Sequence, residues 1–210
     1  MFDYSFAHWA TFFTAAILLN LSPGPDMAFI LGQTAKRGVR SGFSAMFGIW
    51  TGAFVHVLFA ALGLSAILAT SAVAFSAVKL IGAAYLVWLG IQALCSKGNK
   101  MTADGQVSQK GSMEIFKQGV LVAVLNPKVA IFFLAFLPQF VEVGVGPVSA
   151  QLFLHGSLII VVAAFVEPPL ILMGGKLARS LGRNTQVSRW MDRGLGALFI
   201  GLGIKLATSD

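Results

Sequence analysis

The sequence predicts an all-α, polytopic membrane protein of about six transmembrane helices, arranged as two three-helix inverted-topology repeats, and three observations carry that expectation. Apolar residues make up 57% of the 210 and charged residues only 11%, against roughly 25% charged in an average soluble domain. The apolar residues fall in near-continuous runs of bilayer-crossing length, which leaves one transmembrane domain over 1–210 and no room for a separate soluble one. A proline-centred break recurs in the first run of each half of the chain. The net charge of +7 comes from basic residues in the connections, so it reads as an orientation signal in the bilayer and implies no nucleic-acid partner.

The first expected span, from about Phe6 to Ile30, contains the break Asn20-Leu21-Ser22-Pro23-Gly24-Pro25-Asp26. Two prolines remove two backbone donors and push the residue before each out of the helical region, so the hydrogen-bond ladder cannot run through them intact. A carboxylate at this depth costs several kcal/mol unless it is neutralised, paired or wetted. The run lacks a basic leader and ends in Pro-Gly-Pro-Asp, which marks it as a retained span and not a cleaved signal.

Ala35-Lys36-Arg37-Gly38-Val39-Arg40 then makes a basic turn, expected in the cytoplasm. The second span, about Gly42 to Leu68, carries Gly48 and Gly52 at small-xxx-small spacing for close helix packing. It also carries His56, for which an interhelical hydrogen bond and a place on a transport path are both open. An uncharged connection, about Ala69 to Ser76, is expected on the outer face. The third span, about Ala77 to Leu94, has Lys79 near its outer end, where it can snorkel. Cys95 closes this span with an expected core or interface role and no partner for a disulfide.

A polar, glycine-containing linker over about 96–112 divides the chain into halves of about 1–95 and 113–210. The fourth span, about Ile115 to Phe136, has the break Asn126-Pro127-Lys128; the fifth, about Ala150 to Met173, has Glu167-Pro168-Pro169, expected to be a third interruption. Lys176, Arg179, Arg183, Arg189 and Arg193 follow, against Asp192 alone, and mark a cytoplasmic loop before a sixth span from about Gly194 to Ala207. Together the loops place both termini outside. Three spans per half invert the second half relative to the first, the parity of an inverted repeat, and interruptions at matching places in two halves point to a central binding site.

The substrate or ion pathway expected on these grounds comprises Asn20, Ser22, Pro23, Gly24, Pro25, Asp26, His56, Asn126, Pro127, Lys128 and Glu167. Acidic groups for an ammonium and helix-end N–H groups for a carboxylate suit a zwitterion such as an amino acid. The same charges also suit a structural ion pair with no ligand. Protonation of a desolvated Asp26 or Glu167 is a natural means of coupling flux to a proton gradient.

Ser22-Pro23-Gly24-Pro25-Asp26, the run from Lys79 to Gly90 and the run from Asn126 to Phe140 together resemble the LysE/RhtB family of amino-acid exporters, and the likeness covers nearly the whole chain. The resemblance implies an efflux permease of the bacterial inner membrane, both termini periplasmic on the loop charges, exporting a small amino acid or derivative by ion-driven secondary transport. Homodimerisation is a family-level expectation. No cofactor and no enzymatic activity are implied. Asp26 stands where many relatives have Asn, and it does not by itself identify a basic substrate. The other readings are a non-transporting membrane scaffold, favoured by the packing glycines, and an exporter of another small solute or of a metal ion, for which one cysteine and His8, His56 and His155 are a thin ligand supply.

Overall fold

The structure, a computed structural model, describes residues 3–21, 24–66, 72–95 and 111–173 together with positions 186, 189–190, 193–194, 196–197, 200–201, 204 and 207. The chain is all-α over these residues. Helix α1 (Phe6–Leu21) and helix α2 (Pro25–Arg37) are two arms of one apolar run, bent by 50° at the break. Gly24 is extended, Pro25 takes the first helical position and Asp26 sits in the first turn. Both residues suit a helix start: proline has no N–H to orphan there, and the carboxylate faces the positive end of the dipole. At the far end Gly38, at φ 86°, donates its N–H to the Thr34 carbonyl at 2.9 Å and turns the chain back.

Helix α3 (Val39–Phe59) runs on through a π-helical turn (Ala60–Leu64), and its apolar stretch Val39–Gly63 is long enough to cross a membrane. It packs most extensively on helix α5 (Ser112–Val124), with the backbones almost in contact. The cause is reciprocal glycine. A Cβ on Gly119 would meet the Ala45 carbonyl oxygen at 2.7 Å, and one on Gly52 would meet the Val120 carbonyl oxygen at 2.7 Å and Ala123 Cβ at 2.6 Å. Gly48 has no more room, facing Phe116 and Gly119. The Gly48/Gly52 spacing therefore does in three dimensions what small residues do between membrane helices, letting van der Waals contact and not hydrophobicity hold the pair.

Helix α4 (Ala72–Leu94) begins earlier than expected, so Ala72 to Ser76 is helical and not connection. It approaches the C-terminal part through Gly90, where a Cβ would lie 2.7 Å from the Gly196 carbonyl oxygen. Cys95 is an exposed free thiol directly beyond α4 and takes no core role. Helix α6 (Pro127–Phe136) is separated from α5 by Leu125 and Asn126, which breaks the fourth run as proline chemistry requires, and a 3-10 turn (Leu137–Phe140) follows.

Helix α7 (Val148–Leu172) corrects one expectation: it passes without a break through Pro168 and Pro169. Both prolines fall in its final turns and remove the donors that the Ala164 and Phe165 carbonyls would take in a regular helix, a loss that membrane helices accommodate through neighbouring helices and local adjustment, and Met173 closes the helix by donating to the Pro169 carbonyl at 2.9 Å. Two helical stretches, Val39–Gly63 and Val148–Leu172, are singly of membrane-crossing length among the described residues, and the bent α1/α2 pair makes three. Phe47, Phe165 and Leu172 stand exposed along these helices, as expected of surfaces that face lipid. Residues 96–110 of the linker expected over about 96–112 and most of the sixth span lie outside the described residues; the described positions of that span are helical, and Ser112 already begins α5.

Gly48→Ala is expected to destabilise the protein by about 1–3 kcal/mol, because the α3/α5 backbones must part to admit a methyl group. Gly63→Ala, whose Cβ would meet nothing within 4 Å, is the control and should change stability by no more than about 0.5 kcal/mol. Thermal unfolding of the two variants in one detergent distinguishes them.

Candidate functional site

Two packed clusters make up the interior. One gathers Phe12, Val57, Phe132, Phe136 and Leu152 between α1, α3, α6 and α7; the other gathers Ile30, Met46, Ile49, Ile115 and Ile171 between α2, α3, α5 and α7. A cavity opens where they meet. Both helix breaks contribute to its wall, through Asn20, Gly24, Pro25 and Asp26 on one side and Asn126 on the other.

The breaks touch. Asn126 Nδ2 donates to Asp26 Oδ1 at 2.9 Å, joining residues a hundred positions apart in sequence. The Asn126 carbonyl accepts from the N–H groups of Val129 and Ala130, both at 3.1 Å, so Asn126 opens α6 with its backbone while its side chain reaches α2. Across the cavity Trp50 Nε1 donates to Glu167 Oε2 at 2.7 Å. Glu167 is buried, and it shares one stripe of α7 with Ile159 and Ala163, four residues apart in each case. Asn20 Nδ2 bridges the Ala16 carbonyl at 2.8 Å and the Ile159 carbonyl at 3.3 Å, tying the last turn of α1 to α7. Ile49, Phe132, Phe133 and Ile160 supply apolar wall. The result is a chamber with two carboxylates, two carboxamides and an indole N–H on an otherwise apolar surface.

Of the residues singled out from sequence, Asn20, Gly24, Pro25, Asp26, Asn126 and Glu167 line this one chamber. Ser22 and Pro23 lie outside the described residues, as do the side chains of Pro127 and Lys128. His56 is buried away from the chamber wall, with Nε2 3.1 Å from the Ala123 carbonyl oxygen on α5. Its ring completes the glycine seam. Sequence reasoning passed over Trp50, although an indole N–H in mid-span, between two packing glycines, requires an acceptor and so points to a polar neighbour.

Broken helices whose ends meet in the wall of a mixed polar and apolar chamber define the class as a membrane transporter. The chain belongs to the LysE type translocator family, whose model matches residues 17–210. It is a multi-pass inner-membrane efflux transporter and not an enzyme. It is 32% identical over 203 residues to an uncharacterized membrane protein of Pseudomonas aeruginosa, covering 95% of this chain and 94% of the relative. It is 27% identical over 209 residues to the leucine efflux protein of Salmonella typhimurium, covering 98% and 97%, and 26% identical over 206 residues to the leucine efflux protein of Klebsiella pneumoniae, covering 98% and 97%. No solved structure matches. Among the described residues no group of three His, Cys, Asp or Glu side chains is placed to hold a metal ion.

Trp50→Phe keeps the aromatic wall and removes the donor to Glu167. Leaving that buried acid without its partner is expected to cost about 1–3 kcal/mol. The loss should vanish in the double variant Trp50→Phe/Glu167→Leu, which a double-mutant cycle of thermal stabilities measures.

Proposed function

We propose that this transporter exports a small amino acid or derivative, coupled to an ion gradient, with the chamber between the two helix breaks as its binding site. The Asp26–Asn126 contact carries the reading, because it brings an acidic group and two helix starts to one wall. A zwitterion needs both an anion for its ammonium and N–H groups or a positive helix end for its carboxylate. Asp26 or Glu167 serves the first need and the opening turns of α2 and α6 the second. Ile49, Phe132, Phe133 and Ile160 give an apolar lining for a side chain, in keeping with relatives named leucine efflux proteins.

The alternating-access framework follows from parity. Two halves of three spans, about 1–95 and 113–210, enter the membrane in opposite senses, with Pro25 and Pro127 opening corresponding half-helices. The basic connections set the loops that carry them in the cytoplasm and both termini in the periplasm. Lys128 beside the second break and His56 behind the chamber belong to the proposed pathway as second-rank members.

Cells or inverted vesicles loaded with a mixed amino-acid pool test the reading. Export of an apolar amino acid is expected, and Asp26→Asn at equal membrane level should lower its initial rate at least about tenfold, as loss of a charged contact requires. Unchanged flux in Asp26→Asn removes that residue from the site; absence of flux for every amino acid overturns the substrate class. A reporter active on one side only, fused to the C-terminus, should report the periplasm.

A further inference from the structure

Beyond the chamber, toward the start of α1, a second set of polar side chains closes into one network. His8 Nδ1 lies 2.7 Å from Glu142 Oε1, His8 Nε2 lies 2.9 Å from His155 Nε2, and His155 Nδ1 lies 2.8 Å from the Gln151 carbonyl oxygen. The His8 side chain is 6% exposed and that of Glu142 44%, while His155 and Gln151 are fully buried. Tyr4 stacks on His8 at 4.1 Å and donates its hydroxyl to Gln151 Oε1 at 2.8 Å. Burial and then the Glu142 charge push this phenol up, which keeps it a donor. Gln151 Nε2 donates to the Glu142 and Gly146 carbonyls, both at 2.9 Å, and so fixes the connection that carries Glu142. Phe12 and Phe140 close over His155 from the apolar side.

The contacts determine a proton count. A carbonyl oxygen only accepts, so His155 Nδ1 carries a proton. Two ring nitrogens at 2.9 Å need one proton between them, since two N–H groups would collide and two lone pairs would repel. A third proton must lie between His8 Nδ1 and Glu142 Oε1. Three protons therefore occupy a set in which one carboxylate and two neutral imidazoles hold two. The count is met by an additional proton on His8, which would then donate to Glu142 from one ring nitrogen and to His155 from the other.

We propose that His8, His155 and Glu142 form a one-proton binding site that latches the start of α1 and the connection between α6 and α7 onto α7. Among the described residues, the ionisable groups facing the histidine pair are Glu142 from that connection and Tyr4 from the segment ahead of α1. Loss of the proton leaves one contact as lone pair against lone pair at a place with little water to replace it. His155 stands one helical turn from Ile159 in the chamber wall, so release of the latch acts on the same seam that Asn20 closes farther along. The proposal rests on this geometry and does not require the amino-acid reading.

The chain has three histidines, so ¹⁵N-histidine labelling of the full-length protein gives ring-nitrogen spectra that His8→Gln and His155→Gln assign, with His56 as the reference. At about pH 6 one doubly protonated ring, His8, and one neutral Nδ1–H ring, His155, are expected. The doubly protonated signal should be lost on going to about pH 9, and amide exchange over residues 6–16, corrected for its intrinsic pH dependence, should rise at least about tenfold over the same range. Glu142→Gln removes the countercharge and should reduce the doubly protonated population at least about tenfold. Because it alters a half-exposed side chain, it carries the comparison even where a histidine variant fails to fold. No doubly protonated ring between these pH values, an unchanged population in Glu142→Gln, or α1 protection indifferent to its loss would each overturn the proposal. None of these readouts uses a substrate, so failure of amino-acid export and failure of the latch are separate results.

Discussion

Within a bilayer every polar group must find its partner inside the protein, and this molecule depends on how it meets that demand at its two helix breaks. Pro25 and Pro127 each follow an interruption of an apolar run and leave helix ends inside it. Here the two ends are brought together, so that Asn126 of one break satisfies Asp26 of the other at 2.9 Å. Each interruption is thereby a partner for its opposite number, and the space between them becomes a chamber with polar character in an apolar surround. The second carboxylate follows the same rule, since Glu167 is held by the Trp50 indole.

Helix α3 makes that meeting possible. Gly48 and Gly52 let α5 approach until backbone meets backbone, and Trp50 between them points toward α7. One helix thus sets the position of α5, and with it Asn126, and also holds the acid on α7. His56 adds a bond to the Ala123 carbonyl in the same seam. Close packing and site construction are one arrangement, because the short α3/α5 distance fixes where the second break falls.

Along α7 the same economy appears as a stripe. His155, Ile159, Ala163 and Glu167 recur every four residues, so a single face carries the histidine network at one end and the chamber acid at the other, about 18 Å apart by helical rise. Helix α1 runs beside it with His8 near its start and Asn20 in its last turn, each bonded across to α7. Two polar ties with aromatic packing between them define this seam.

Much of this was legible from residues alone. The bilayer setting follows from composition, the breaks at Pro25 and Pro127 from missing donors, and the glycine seam from spacing, because each is a local property of the chain. The prolines after Glu167 read as a break and are not one, since membrane helices tolerate proline where neighbouring helices and local adjustment satisfy the freed carbonyls again. His8, His155 and Glu142 gave no comparable signal: each is ordinary in its own segment and acquires meaning only opposite a partner more than a hundred residues away. The sequence by itself determined that the chain is helical, membrane-embedded and interrupted, for those are matters of hydropathy and backbone chemistry. Only the tertiary structure decided which interruption meets which and which acid meets which donor, because hydrogen bonds act over about 3 Å and nothing in a linear pattern measures that distance.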